Sequence, residues 1–211
     1  MGFYLLLKIW KFRTFRDLFL AGFITSTARW VEVLAFSVIA WQYTGNASVV
    51  ALLMTARFIF VALAGLYFSI NGSLYTGRLV MLSVTISCST ICFLVSLFYN
   101  LELQINLIGL GIISSISGAL WSVDFSFRRR MLADSLPIKL IATGVSIDVL
   151  STHATRLIGP LIGGVLLTII NPSLMLVFLG FLYLLSALFI SFHEDKTKIV
   201  VYLPGVEKTN I

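Results

Sequence analysis

Six runs of about 20 mainly apolar residues follow one another along the chain, at 18–43, 47–70, 79–99, 103–125, 141–170 and 174–192. Roughly 20 such residues are what an α-helix needs to cross about 30 Å of hydrocarbon. In lipid, a backbone must satisfy its own hydrogen bonds, which leaves helices and closed barrels as the spanning structures. Runs this long and this continuous predict an all-α integral membrane protein, a six-transmembrane-helix bundle over 18–192. A lead-in of residues 1–17 precedes it and a tail of residues 193–211 follows. The gaps carry turn chemistry: Thr44, Gly45 and Asn46; Asn71, Gly72 and Ser73; Tyr99 and Asn100; Asn171 and Pro172. These residues tolerate tight or left-handed backbone.

Composition points the same way. The chain of 211 residues is 59% hydrophobic and 11% charged, against about 45–50% and about 25% in a soluble domain. So little charge cannot cover a water-facing surface of this size. The net charge of +6 raises the question of nucleic acid, and the placement of the basic residues answers it. Lys8, Lys11, Arg13 and Arg16 precede the first run, Arg78 follows the second, Arg128, Arg129, Arg130 and Lys139 follow the fourth, and Lys196, Lys198 and Lys208 follow the sixth. The gaps after the first, third and fifth runs have neither Lys nor Arg. That alternation is the positive-inside pattern. It predicts a multi-pass protein of the plasma (inner) membrane with both termini cytoplasmic, partnered by the lipid bilayer and not by nucleic acid. At the N-terminus the apolar stretch comes before Lys11, Arg13 and Arg16, the reverse of a cleaved signal, so 1–12 reads as a cytosolic lead-in helix. Cys88 and Cys92, four apart in one apolar run, share a helix face and read as packing residues.

Charges within the runs are the first functional candidates, since each costs about 2.5–3.5 kcal/mol to insert at mid-depth. They are Arg29, Glu32, Arg57, Asp148 and Arg156. Arg29 and Glu32 are three apart on one helix and able to pair. Arg57 has no acid near it in its own run, so it must find one on another span or face an aqueous cavity. Asp148 and Arg156 are eight apart, with Thr152 between them and His153 beside it. Two readings stand. In one, these residues line a polar pathway that presents positive charge to an anionic or polar small molecule. In the other, Arg29 pairs with Glu32 and Arg156 with Asp148 as structural fasteners. His153 is a candidate proton carrier or a helix-to-helix hydrogen bond. Asp124 and Arg128, in acid-then-base order four apart, read as a local pair where the fourth span leaves the membrane.

The fifth run holds the most specific local motif, Gly159, Pro160, Leu161, Ile162, Gly163 and Gly164. Pro160 removes a backbone donor and bends a helix, while Gly159 and Gly163 make a small-xxx-small face for close helix approach. Coincidence of a bend and a tight seam predicts a hinge or gate. Trp10, Trp41 and Trp121 fall near expected membrane interfaces, where tryptophan anchors; Trp30 does not.

Several of these features together resemble the N-terminal half of a major facilitator superfamily transporter, closest to the drug and siderophore efflux members. The stretch Phe15 to Leu20 is similar to that family's entry into the first span, and Ala56, Arg57 and Phe58 to its second-span pattern. Gly118 fits near the end of the fourth span. Arg128, Leu132, Asp134 and Pro137 follow at the family's spacing and lead without a gap to Arg156, Gly159, Pro160, Gly163 and Gly164. The glycine-proline core resembles the antiporter signature of exporters, with Ser146 and Thr155 at two upstream glycine positions. The loop after the second span departs from the family's acid-and-base latch: Ser69, Ser73 and Leu74 occupy its Gly, Asp and first Arg positions, and Arg78 alone remains. The resemblance implies a carrier that exports a small molecule against a coupling ion, a proton, with Arg29, Glu32, Arg57, Asp148, His153 and Arg156 along the pathway. Arg78, Asp124, Arg128 and Asp134 would be cytoplasmic loop residues. Because the family's fold has twelve helices in two halves around the substrate, it further implies a homodimer or a second six-helix half. The other function class is a non-transporting remnant or a helper subunit of another membrane protein. No nucleophile with its base, no metal-ligand spacing and no phosphate loop occurs in the sequence, so neither an enzyme nor a cofactor is expected.

Overall fold

The computed structural model describes residues 9–72, 75–101 and 106–192. Most of the lead-in and the tail from His193 onward lie outside the described residues. Six helices run up and down: α1 (Arg13–Thr44), α2 (Ala47–Asn71), α3 (Gly77–Asn100), α4 (Leu107–Asp134), α5 (Ile138–Ile169) and α6 (Pro172–Ser191). Each is long and apolar enough to cross a membrane. The protein is an all-helical, multi-pass membrane bundle.

Three turns at one end of the bundle are closed by the same residue type. The side chains of Asn46, Asn106 and Asn171 accept from the backbone N–H of Ser48, Ile108 and Leu174 at 2.9, 3.3 and 2.8 Å, supplying the orphan donors of α2, α4 and α6 with an acceptor. Gly45, at φ 58°, ends α1 in the left-handed conformation that glycine adopts without strain. At the other end, Phe12, Thr76 and Pro137 precede α1, α3 and α5 without a side-chain cap. Basic side chains tie that end instead: Arg78 donates to the Ser191 carbonyl at 2.5 Å and Arg130 to the Gly72 carbonyl at 3.1 Å.

The helices form two layers. In front, α5, α1, α4 and α2 stand side by side in that order; behind, α3 and α6 pack along each other, with α6 against α1 and α3 against α4. Hydroxyls join the back layer, Ser96 to Ser173 at 2.8 Å and Ser89 to the Gly180 carbonyl at 2.9 Å. Thr25 and Ser186, 2.7 Å apart, join α1 to α6. Such bonds help in lipid, where apolar burial gives little drive for helices to associate. Helix α1 is the centre, with 56% of an 18-residue apolar stretch buried, whereas α2 and α5 bury only 11% and 17% of theirs.

Glycines set the front seams. A Cβ on Gly118 would lie 2.6 Å from the Arg57 carbonyl oxygen, so α2 and α4 touch backbone to backbone there. On α5, Gly159 faces the Trp30 Cβ and the Thr27 carbonyl, and a Cβ on Gly163 would sit 2.9 Å from Leu34. The expected close approach at Gly159 and Gly163 is present, with α1 as the partner. Gly164 has nothing within 4 Å. Helix α5 continues through Pro160 from Ile138 to Ile169.

Candidate functional site

Of the five expected mid-span charges, four are sealed inside the protein. Arg29, Glu32, Arg57 and Asp148 are 1%, 0%, 0% and 0% exposed. Arg57 finds the partner that its own helix lacks: both terminal nitrogens donate to Glu32 Oε1 at 3.2 Å, across α2 and α1. Ser117 of α4 donates to the same oxygen, and Tyr183 of α6 to Oε2 at 2.5 Å. Glu32 is thus a carboxylate gripped from three other helices.

Arg29 does not pair with Glu32. Its guanidinium approaches Asp124 at 3.6 Å and makes no hydrogen bond among the described residues. Asp124 also meets Arg128 at 3.8 Å, the expected local pair, with both side chains buried in the bundle. Arg128 reaches on to Asp148 of α5 at 2.5 Å and to Ser26 of α1 at 3.3 Å. Arg129 stands 3.8 Å from Asp148 and packs over Phe125 at 3.9 Å. The expected Asp148–Arg156 pair is absent for a geometric reason: eight residues on an α-helix turn the second side chain about 80° from the first. Asp148 faces inward and is buried; Arg156 faces outward.

The four residues expected in a cytoplasmic loop all lie on helices. Asp124 and Arg128 are inside α4, Asp134 is its last residue, and Arg78 is the second residue of α3. Helix α4 runs beyond the expected span end at 125, to Asp134, and along that extension Arg128 and Arg129 each have a carboxylate within 4 Å.

What remains on the bundle surface is a row across the front layer. Arg156 of α5 lies over the Trp30 ring of α1, 5.3 Å to its centroid. Trp30 meets Trp121 of α4 edge to face at 5.2 Å and 85°. Trp121 in turn meets Phe58 of α2 at 6.1 Å and 53°. Arg156 is exposed, Phe58 is 45% exposed, and both tryptophans are half-buried. Counted from the ends at Thr44, Ala47, Leu107 and Ile169, Trp30, Phe58, Trp121 and Arg156 stand fifteenth, twelfth, fifteenth and fourteenth. At 1.5 Å per residue they share one depth, roughly 18–22 Å from that end. His153, three residues before Arg156, is exposed on α5.

Among the described residues no carboxylate lies within 4 Å of Arg156, whereas Arg29, Arg57, Arg128 and Arg129 each have one. Sequence reasoning found Arg156 and missed the aromatic row, because Trp30, Trp121 and Phe58 come from three different runs. The shared distance of each from its turn was the available signal. No group of three or more His, Cys, Asp or Glu side chains suited to a metal ion occurs among the described residues. Open clefts of about 460 and 590 Å³ lie at the Asn-capped end, both reaching the Gln42–Tyr99 hydrogen bond of 3.1 Å, away from the row. Comparison of the chain with protein-family models, with curated proteins and with solved structures finds no match.

Proposed function

We propose that this protein is a half-length carrier of the major facilitator type that exports a small molecule through the membrane, driven by a coupling ion, with the proton as the first choice. The observation that carries the proposal is Arg156: a charged side chain at the bundle surface, at mid-hydrocarbon depth, without a carboxylate. Facing lipid, it would cost about 2.5–3.5 kcal/mol on insertion scales. A covered or water-filled front face removes that cost. The weakly buried flanking helices α2 and α5 supply rims on which a second six-helix body, a separate chain or another copy of this one, would close. The substrate would then sit between the bodies, against Arg156, Trp30, Trp121 and Phe58. The resemblance of the Gly159 to Gly164 segment to exporters favours efflux, and the basic end of the bundle supports a plasma-membrane reading with both termini in the cytosol. In this reading Arg29, Glu32, Arg57, Asp124, Arg128 and Asp148 hold the half together, and Pro160 provides the point of give in α5.

A second reading has one observation in its favour. Each buried carboxylate is matched by arginine, as in a static bundle that packs beside another membrane protein. Proteoliposomes separate the two. Candidate compounds should move when a pH gradient is imposed, and Arg156→Ala should reduce the flux at least tenfold while leaving thermal stability unchanged. Failure of every compound to move, with a monomer in detergent, would leave the helper reading standing.

A further inference from the structure

The row across the front layer has a chemical polarity of its own. At one end is a cation held over an indole face; beyond it lie an indole in edge-to-face contact and a tilted phenyl ring. All four side chains come from different helices and share a depth. The acids of the interior are committed elsewhere: Glu32 to Arg57, Asp124 to Arg29 and Arg128, Asp148 to Arg128 and Arg129. No acid therefore competes for Arg156 among the described residues.

We infer that this row is a binding site for a planar aromatic anion, an arene bearing one carboxylate or sulfonate at its edge, with the acid on Arg156 and the rings against Trp30, Trp121 and Phe58. The inference rests on the reading of the front face as substrate-facing and names the class of ligand. A guanidinium keeps five N–H donors in its plane, so one that packs by its face on an indole can still present a fork to a carboxylate or sulfonate. Ring faces and edges left by Trp121 and Phe58 suit offset or edge-to-face contact with another arene. An organic cation of the same shape meets a positive charge with no carboxylate beside it, and an aliphatic acid leaves the rings without a partner.

The test uses the full chain in nanodiscs with Trp10→Phe and Trp41→Phe, so that indole fluorescence reports on Trp30 and Trp121. Naphthalene-2-sulfonate should quench saturably. Naphthylmethylammonium, neutral 2-naphthol and hexanesulfonate should each bind at least tenfold more weakly. Arg156→Gln should erase the preference for the sulfonate over 2-naphthol, and Arg156→Lys should keep part of it; both are surface changes, and unchanged melting would confirm that the bundle remains folded. Equal affinity for all four probes, no saturable quenching, or a preference for the ammonium would overturn the inference. Selective binding without flux in proteoliposomes would sink the carrier reading and leave the site intact, whereas flux of other compounds without this selectivity would do the reverse.

Discussion

Glu32 shows how a charge survives in a membrane bundle. It receives Arg57 through two nitrogens, Ser117 and Tyr183, and these donors come from α2, α4 and α6. Removing one member of such a pair leaves the other buried and uncompensated, which costs about 3–5 kcal/mol; replacing both with apolar groups of similar size is often neutral. Glu32→Ala and Arg57→Ala should each lower the midpoint of unfolding in detergent sharply. The double variant Glu32→Met with Arg57→Met should recover most of the loss. Additive single effects in that cycle would show that the two side chains do not act as a pair. Arg57 also marks the reach of sequence reasoning. Its need for an acid on another span was legible, but not which acid, because the choice between Glu32 and Asp148 depends on how the helices rotate against one another. The same rotation sends Asp148 inward and Arg156 outward, although a quick reading of spacing puts them on one face.

At the scale of the helix, α5 is held to α1 by two missing side chains. Gly159 and Gly163 let the helices approach until a Cβ at either position would collide, with Trp30 or with Leu34. Gly159→Leu should therefore push α5 off α1, lowering the melting midpoint and shifting Trp30 fluorescence, since Trp30 forms the other side of the seam. Gly164→Ala makes the contrast: it has open space and trades a flexible residue for a better helix former, so stability should stay level or rise by about 0.5–1 kcal/mol. If Gly164→Ala proved as damaging as Gly159→Leu, the seam would not lie where these contacts put it. Six helices and four of their five turns were readable from apolar runs and Asn, Gly and Pro punctuation, with ends within a few residues in most places. The exception was the fourth span, which runs on to Asp134. Arg128, Arg129 and Arg130 look like the end of a helix when read in one dimension; in three, the first two lie within 4 Å of Asp124 or Asp148 and the helix continues. The aromatic row was illegible for a related reason, as periodicity describes each helix alone and the row exists only between helices.

The whole molecule has two unlike ends and two unlike faces. One end is capped by Asn46, Asn106 and Asn171 and has no basic residue in its described turns; the other has Arg13, Arg16, Arg78, Arg129, Arg130 and Lys139 near it. Positive residues beside short loops are retained on the cytosolic side during insertion, so this asymmetry predicts that the basic end faces the cytosol. Leu101 and Tyr75, 58% and 43% exposed, sit at opposite ends and can each take a cysteine, and the native Cys88 and Cys92 are buried. In intact cells a membrane-impermeant maleimide should label Leu101→Cys at once and Tyr75→Cys only after permeabilisation. The parent chain should stay unlabelled in both conditions, because its thiols are enclosed by α3 and its neighbours. Reversed labelling would invert the bundle, placing the basic end outside. Labelling of both sites in intact cells would mean that Tyr75 is reached from outside, which a closed six-helix body in a bilayer does not permit.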